Sequence, residues 1–103
     1  MAQPILIRAH LDGDVADIKA LIHHDMETGL RKDATGKIIP AHFINLVSAT
    51  LNGKPVMQAQ WGIGISKNPF FEFRVKGARA GDVIAISASD NLGAEYSGQT
   101  TLQ

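Results

Sequence analysis

The sequence FINLVSATLNGKPVMQAQW, residues 43–61, decides the fold because Asn52-Gly53 divides it into two strand-like runs. Both central residues of a type I′ turn need a positive φ, and Asn-Gly tolerates that conformation well. The stretch therefore predicts a β-hairpin made of Phe43–Leu51 and Lys54–Trp61. Pro55 has no backbone N–H, so it should lie at an outer or bulged position of this hairpin.

Strand-like runs recur on both sides of the hairpin. They are Pro4–His10, which an Asp-Gly turn closes, the alternating Phe71, Phe73 and Val75, then Val83–Ser89 and Ala94–Leu102, with a turn at Asp90–Gly93 between the last two. Short strands separated by turn residues at intervals of about 8–12 residues are typical of antiparallel sandwiches. The sequence predicts an all-β, immunoglobulin-like antiparallel β-sandwich.

The segment Val15–His23 fits two kinds of structure. Together with Leu11 it forms the apolar stripe of a helix, whereas the even-numbered residues from Ala16 to Ile22 alternate as in a strand. The helical stripe needs Leu11, which stands before the Asp-Gly turn, and a single helix would be isolated among strands. We therefore expect a strand.

Residues 24–40 break this periodicity and predict a long loop, with a short hairpin turn at Asp33–Gly36. A loop of this length in a small domain is usually functional or disordered. Four apolar residues, Met26, Leu30, Ile38 and Ile39, should anchor it, so we expect a packed recognition loop. Met26 and Leu30 should pack inward or against a partner.

Length and composition limit the function. A chain of 103 residues is long enough for one domain, 1–103, and too short for two. Ten basic residues balance ten acidic ones, so no long-range field draws the protein to nucleic acid or to an anionic membrane. The lack of cysteine excludes disulfides, a thiolate nucleophile and zinc–sulfur sites. No segment approaches the roughly 20 apolar residues that a membrane helix needs, and the amino terminus does not resemble a signal peptide.

One cluster has the residue types of a metal site. His23, His24, Asp25 and Glu27 could bind a divalent ion, with His42 folding back to complete the set. Neighbouring residues of a strand point to opposite faces, so His23 and His24 cannot both reach one ion without local distortion. A structural or interfacial role is the preferred interpretation, and we expect no metal, no cofactor and, without a nucleophile-elbow motif, no catalytic residue.

Trp61, Gly62 and Gly64 open a second glycine-rich connection. It lacks the lysine and the helix of a phosphate-binding loop, so we expect a turn or bulge in which the glycines adopt a positive φ. Trp61 fits a core residue and an interface anchor equally well.

Three segments carry a family resemblance: His24–Asp33, Ile39–Ile44 and Trp61–Pro69. In order and spacing they resemble the SoxZ family of the bacterial thiosulfate-oxidising (Sox) system. The resemblance spans nearly the whole chain. It departs from the family pattern at Asp25, where we would expect proline.

The resemblance implies a non-catalytic subunit that pairs with SoxY, whose carboxy-terminal glycine-rich arm holds the cysteine that carries the sulfur substrate. It also implies a periplasmic protein that is exported together with SoxY, the subunit that bears the signal, and that meets other Sox enzymes transiently. The lack of cysteine and of a signal segment agrees with both implications. We expect ten residues to contact these partners: Met26, Glu27, Thr28, Arg31, Lys32, His42, Trp61, Ser66, Lys67 and Phe70.

Two functions of other classes are the alternatives. One is a small metal-binding or hydrolytic β-domain that uses His23, His24, Glu27 and His42; it would retain stoichiometric metal through dialysis. The other is a homomeric adhesive immunoglobulin-like module, which would associate with itself in the absence of any partner.

Overall fold

The computed structural model describes residues 3–103, which contain seven β-strands and no helix. The strands are β1 (Gln3–Asp12), β2 (Val15–Ile22), β3 (Ile44–Leu51), β4 (Lys54–Gln60), β5 (Phe70–Lys76), β6 (Val83–Asp90) and β7 (Glu95–Thr101). Accordingly, these residues contain no helix of the length and hydropathy that a membrane span requires.

The strands follow the order β4-β3-β6-β7-β1-β2-β5. One layer consists of β1, β2 and β5, the other of β4, β3, β6 and β7, and all pairings within each layer are antiparallel. β1 joins the layers, because Gln3 and Pro4 pair in parallel with Tyr96 and Ser97 of β7. The predicted immunoglobulin-like sandwich is confirmed, with this one short parallel pair in addition.

Alternate residues of the strands form the core. Ala16, Ile18, Ala20 and Ile22 of β2 are each at most 1% exposed, and they share one apolar cluster with alternate residues of β6. This alternation is what a half-buried strand produces, because successive side chains point to opposite faces. The prediction of a strand for this segment is confirmed, and the competing helix is excluded.

β1 crosses from one layer to the other over Gly98 of β7. A Cβ atom on Gly98 would overlap the carbonyl oxygen of Ile5. Only a residue without a side chain lets the two backbones approach this closely. Ile5 is itself buried and pairs with Ile22, which is the first step of β1 in its second layer.

The predicted hairpin forms, and both residues of its turn have a positive φ, 51° for Asn52 and 83° for Gly53. Pro55 stands beside a β-bulge in β4, as expected for a residue without an N–H. β4 is one edge strand and β5 is the other, and β5 exposes Glu72, Arg74 and Lys76 in alternation. Bulges, prolines and outward charges keep edge strands from pairing with another chain.

The loop between β2 and β3, residues 23–43, folds back on itself. Glu27 and His42 exchange two backbone hydrogen bonds of 2.7 and 2.9 Å, and Lys32 and Ile38 form a second bridge. The predicted turn at Asp33–Gly36 closes the tip, where the Asp33 carboxylate accepts three hydrogen bonds. The 23–43 loop projects from the sandwich: the molecule is 54 Å long, whereas its longest strand of ten residues spans about 33 Å.

Two of the expected apolar anchors of the 23–43 loop do not pack. Met26 is 5% exposed, but Leu30 is 79% and Ile38 is 61% exposed. The loop satisfies its backbone by pairing with itself, so its tip extends beyond the core and leaves these side chains nothing to pack on. The expectation that Leu30 and Ile38 anchor the loop within this chain is wrong.

The connection between β4 and β5 reverses at Asn68. Asn68 has a φ of 52°, whereas neither Gly62 nor Gly64 lies in the left-handed region. The expectation of a positive φ at these glycines is wrong, because the reversal is set by contact with the 23–43 loop. The N–H of Asn68 donates to the carbonyl of His24 at 2.8 Å, and its side-chain oxygen accepts the N–H of His24 at 3.0 Å.

The substitution Gly53→Val should lower the free energy of unfolding by about 1–3 kcal/mol, because it forces a β-branched residue to a positive φ. Thermal melts or urea denaturation measure the loss. Gly62→Val is the matched control, since a Cβ atom at Gly62 meets nothing within 4 Å and its φ lies outside the left-handed region. Equal stability of the two variants would contradict the strain assigned to the turn.

The substitution Gly98→Ala should also cost about 1–3 kcal/mol, because the new methyl group forces β1 away from β7. The midpoint of urea unfolding is the readout. Gly64→Ala serves as the control, since a Cβ atom there has open space around it. A Gly98→Ala protein as stable as this control would mean that β1 crosses without a close backbone approach.

Candidate functional site

An acidic residue lies on the inward face of β6. Ile84, Ile86, Ala88 and Asp90 alternate toward the core, and Asp90 is only 4% exposed. A buried carboxylate is costly unless hydrogen bonds compensate for the water it has lost. The neighbours of Asp90 therefore decide whether this end of the sandwich is stable.

Five hydrogen bonds converge on the Asp90 carboxylate. Oδ2 accepts one from each of three side chains: the hydroxyl of Tyr96 at 2.8 Å, Nε2 of His42 at 2.8 Å and Nε2 of His24 at 3.2 Å. Oδ1 accepts the N–H groups of Leu92 and Ala94, each at 3.0 Å. The carboxylate thus connects β6, β7, the turn between them and both ends of the 23–43 loop.

These bonds keep Asp90 ionised. Burial works against its charged form, but the hydrogen bonds from Tyr96, His42, the Ala94 backbone and His24 outweigh burial and hold the pKa of Asp90 well below its usual range. The pKa of Tyr96 is raised, first by burial and then by its hydrogen bond to Asp90. At neutral pH the Tyr96 hydroxyl is therefore protonated and the carboxylate that it donates to is charged.

His24 holds a strained residue in place. Met26 has a φ of 53°, which is uncommon for a long side chain, and it is buried. The N–H of Met26 donates to Nδ1 of His24 at 2.9 Å. Because Nδ1 accepts a hydrogen bond, the proton of this imidazole is on Nε2, the atom that donates to Asp90.

His24, His42 and Asp90 are also of the residue types that bind metals, and within residues 3–103 their potential ligand atoms lie within 4.8 Å of one another. An imidazole nitrogen must be free of its proton to ligate a metal. In His24, Nε2 carries the proton and Nδ1 accepts the N–H of Met26. The chemistry of this cluster therefore fits a hydrogen-bond network and does not fit a metal ion.

The structure does not bring together the four residues of the metal or hydrolytic alternative. The rings of His24 and His42 meet edge to face at 4.5 Å, but His23 is exposed, as expected of the neighbour of a buried strand-end residue. Glu27 forms a two-point salt bridge with Arg31. This bond holds the pKa of the Glu27 carboxyl below its usual range and raises that of Arg31.

A groove of about 540 Å³ lies between the start of the 23–43 loop and the β4–β5 connection. It is lined by Asp25, Met26, Glu27, Thr28, Arg31, Ile63, Gly64, Ile65, Ser66 and Lys67. The hydrogen bonds between His24 and Asn68 hold its two walls together. Two acidic and two basic side chains line it, which suits a surface of mixed charge.

The ten expected contact residues fall into two groups. Six of them line this groove: Met26, Glu27, Thr28, Arg31, Ser66 and Lys67. The other four do not. Lys32 is exposed along the 23–43 loop and His42 belongs to the Asp90 network. Trp61 packs edge to face on Phe71 at 5.3 Å and contributes to the core, while Phe70 is 63% exposed on β5.

The sequence reasoning missed Asp90 and Tyr96. A signal for Asp90 was present, because the alternation that buries Ile84, Ile86 and Ala88 places Asp90 on the same face. An inward-pointing acid at the end of a strand needs donors, and His24, His42 and Tyr96 are among the residues whose ring N–H or O–H could supply one. Nothing local indicated which of them would reach it.

One family of known proteins is similar to this chain. It is described as "Sulphur oxidation protein SoxZ", and its match extends over residues 6–101. No curated protein matches the chain. The matched range includes six strands, β2 to β7, and the 23–43 loop in full, and β1 from Leu6 onward.

The substitution Asp90→Asn should destabilise the fold by about 3 kcal/mol or more, because an amide NH₂ group meets donors in either orientation and leaves them without an acceptor. Tyr96→Phe removes a single donor and should cost about 1 kcal/mol. Urea denaturation gives both values. Asp14→Asn, at an exposed position, is the control and should change the stability by no more than about 0.5 kcal/mol.

Measuring the stability of the unmodified protein and of Asp90→Asn at several pH values tests whether the charge of Asp90 causes the difference between them. Its pKa in the folded protein lies below the value of about 3.9 expected when unfolded, so its contribution is complete above about pH 5 and is lost as the pH falls through the folded-state pKa. The difference in unfolding free energy between the unmodified protein and Asp90→Asn should therefore shrink below about pH 4. A difference that stays constant with pH would contradict this role.

Proposed function

The chain belongs to the SoxZ family of sulphur oxidation proteins, and we propose from this that it is the non-catalytic subunit of a SoxYZ carrier complex. In this role it binds SoxY and helps present the cysteine-linked sulfur substrate of SoxY to the Sox enzymes. The observation that carries the proposal is the extent of the match, residues 6–101, which includes the sandwich and its loops together.

The chemistry of the chain supports a division of labour with a partner. A cysteine thiolate can carry sulfur as a covalent conjugate, and this chain has no cysteine. Sulfur that is linked to a cysteine must therefore be attached to the partner. The contribution of this chain is then binding and positioning, for which a rigid scaffold with projecting loops is suited.

The Asp90 network supports the same view. Every lone pair or proton that a general base would use in His24 is already engaged, and both oxygens of Asp90 accept hydrogen bonds. What the network does is hold the base of the 23–43 loop and, through Asn68, the opposite wall of the groove. A fixed groove and a fixed loop serve recognition, because preorganisation lowers the entropic cost of binding.

The exposed residues of the 23–43 loop supply the contacts that we assign to binding. Leu30 and Ile38, whose side chains are mostly exposed, can serve as apolar anchors for a second protein. Glu27, Arg31 and Lys32 surround them with charge that sets register and association rate. The proposed location is the periplasm, which the chain reaches together with the partner that carries the signal peptide.

Reversing the charge of Arg31 and Lys32 together, as Arg31→Glu with Lys32→Glu, should weaken binding to SoxY or reduce the thiosulfate-dependent turnover of the reconstituted Sox system. Both side chains are exposed, and the surface salt bridge between Arg31 and Glu27 that is lost contributes little to stability, so the melting temperature should fall only slightly. Pull-down with SoxY, turnover and a thermal melt are measured side by side.

The double variant Lys54→Glu with Lys76→Glu is the control, because it makes the same change in net charge at the opposite end of the sandwich. If the Arg31/Lys32 variant keeps both binding and turnover, the loop is a solvated connection. If it loses its melting transition, the two residues belong to the fold and their functional assignment is wrong.

A further inference from the structure

The outer faces of the two layers differ in charge. On the layer of β1, β2 and β5, one of the four cross-strand rows of outward residues is apolar, Leu6-Leu21-Phe70. The other three rows carry seven charged side chains: Arg8, Lys19 and Glu72, then Asp17 and Arg74, then Asp12 and Lys76. The outward rows of the other layer are Gln60-Leu46-Ser89-Glu95, Gln58-Ser48-Ser87-Ser97 and Pro55-Thr50-Ala85-Gln99. Glu95 alone among these twelve residues is charged, and it stands at a corner. We call this surface the low-charge face.

Loss of charge is the compositional mark of the centre of a protein interface, where a charged group would have to be desolvated. The hydroxyl groups of the low-charge face are prepared for such burial, because Ser48 and Ser87 hydrogen-bond each other at 3.0 Å. Two adjoining recesses, of about 360 and 310 Å³, lie over its centre and share Ser87 and Ser97. A binding protein with a flat surface would leave these recesses empty, so a protein that packs well here must insert large side chains into them.

The size of the low-charge face limits what covers it. Four strands span about 19 Å and five residues along each span about 17 Å, a projected area of about 320 Å². A stable pair buries about 800 Å² on each partner, so this face alone is too small. The row with Leu46 leads directly into the β6–β7 turn, where Leu92 is 66% exposed. The Asn91 side chain bonds that turn to Ala41 and Phe43 of the 23–43 loop.

We propose that the carrier subunit SoxY docks on the low-charge face and extends over Leu92 to the 23–43 loop. This docking proposal rests on the proposed function. It adds which surface of the chain binds SoxY and which side chains SoxY presents to that surface. The docking surface of SoxY presents large apolar or aromatic side chains to the two recesses and a single cation opposite Glu95. The three charged rows of the outer face of β1, β2 and β5 stay in solvent.

Protection of an engineered thiol tests the proposal on the intact complex. The chain has no cysteine, so Ser87→Cys, Leu92→Cys and Lys19→Cys each create a single site for iodoacetamide, and the intact mass of this chain reports its alkylation. Bound SoxY should slow alkylation at Ser87→Cys and Leu92→Cys by about 10-fold or more, because a core contact is closed to solvent. Lys19→Cys, on the opposite face, should react at an unchanged rate.

A second variant measures affinity. Ser87→Arg should weaken binding of SoxY by about 100-fold or more, because it places an unpaired charge in the middle of the contact. Glu72→Arg adds the same side chain to the outer face of the other layer and should leave binding unchanged. Melts of both isolated variants establish that they fold, since both positions are exposed.

The outcomes separate the proposals. If the unmodified chain does not bind SoxY, the proposed function fails and the docking surface with it. If SoxY binds but leaves Ser87→Cys reactive, or if Ser87→Arg binds normally, only the docking surface is overturned. If Ser87→Cys becomes protected without SoxY as the concentration of this chain is raised, the occupant is a second copy of the chain. That result would also overturn the proposed docking of SoxY.

Discussion

The buried carboxylate of Asp90 is the interaction on which the rest of the structure depends. A charge taken out of water is destabilising by several kcal/mol unless it is compensated, and only the folded chain assembles the five donors that compensate it. Two of these donors, His24 and His42, stand at the two ends of the 23–43 loop. The base of the loop is therefore held by one charge and by the buried Met26, whereas its tip lacks apolar packing and is free to face another protein.

The fold was largely readable from the sequence because the signals that define a sandwich are local. Alternation from Ala16 to Ile22 identified β2, and Asn52-Gly53 identified the hairpin, since side-chain period and turn conformation depend on adjacent residues. The crossing of β1 was not readable. Gly98 adopts no unusual φ, and the reason for a glycine there is the carbonyl of Ile5, near the other end of the chain. A steric demand between residues so far apart in sequence leaves no local pattern.

The candidate site was readable only in part for the same reason. Residue type singled out His24 and His42, and strand geometry correctly separated His23 from His24. Asp90, which joins the two histidines, is far from both of them in the sequence and stands at the end of another strand. The sequence pattern placed it in the turn Asp90–Gly93 and not in the core. Leu30 and Ile38 were expected to anchor the loop because of their hydropathy, although the backbone pairing of the loop carries them away from the core. Hydropathy indicates what a side chain prefers and not whether the backbone can bring it there.

The two edge strands have a consequence for how copies of the chain can associate. Exposed leucines and isoleucines favour contact with other apolar surfaces. Pro55 and the bulge on β4, and the charges of β5, leave no straight edge on which further strands could stack. We therefore expect copies of the chain to associate through side chains alone, in clusters that redissolve on dilution. They are poor seeds for cross-β fibrils, whose growth needs a continuous row of free backbone groups and which dilution does not reverse.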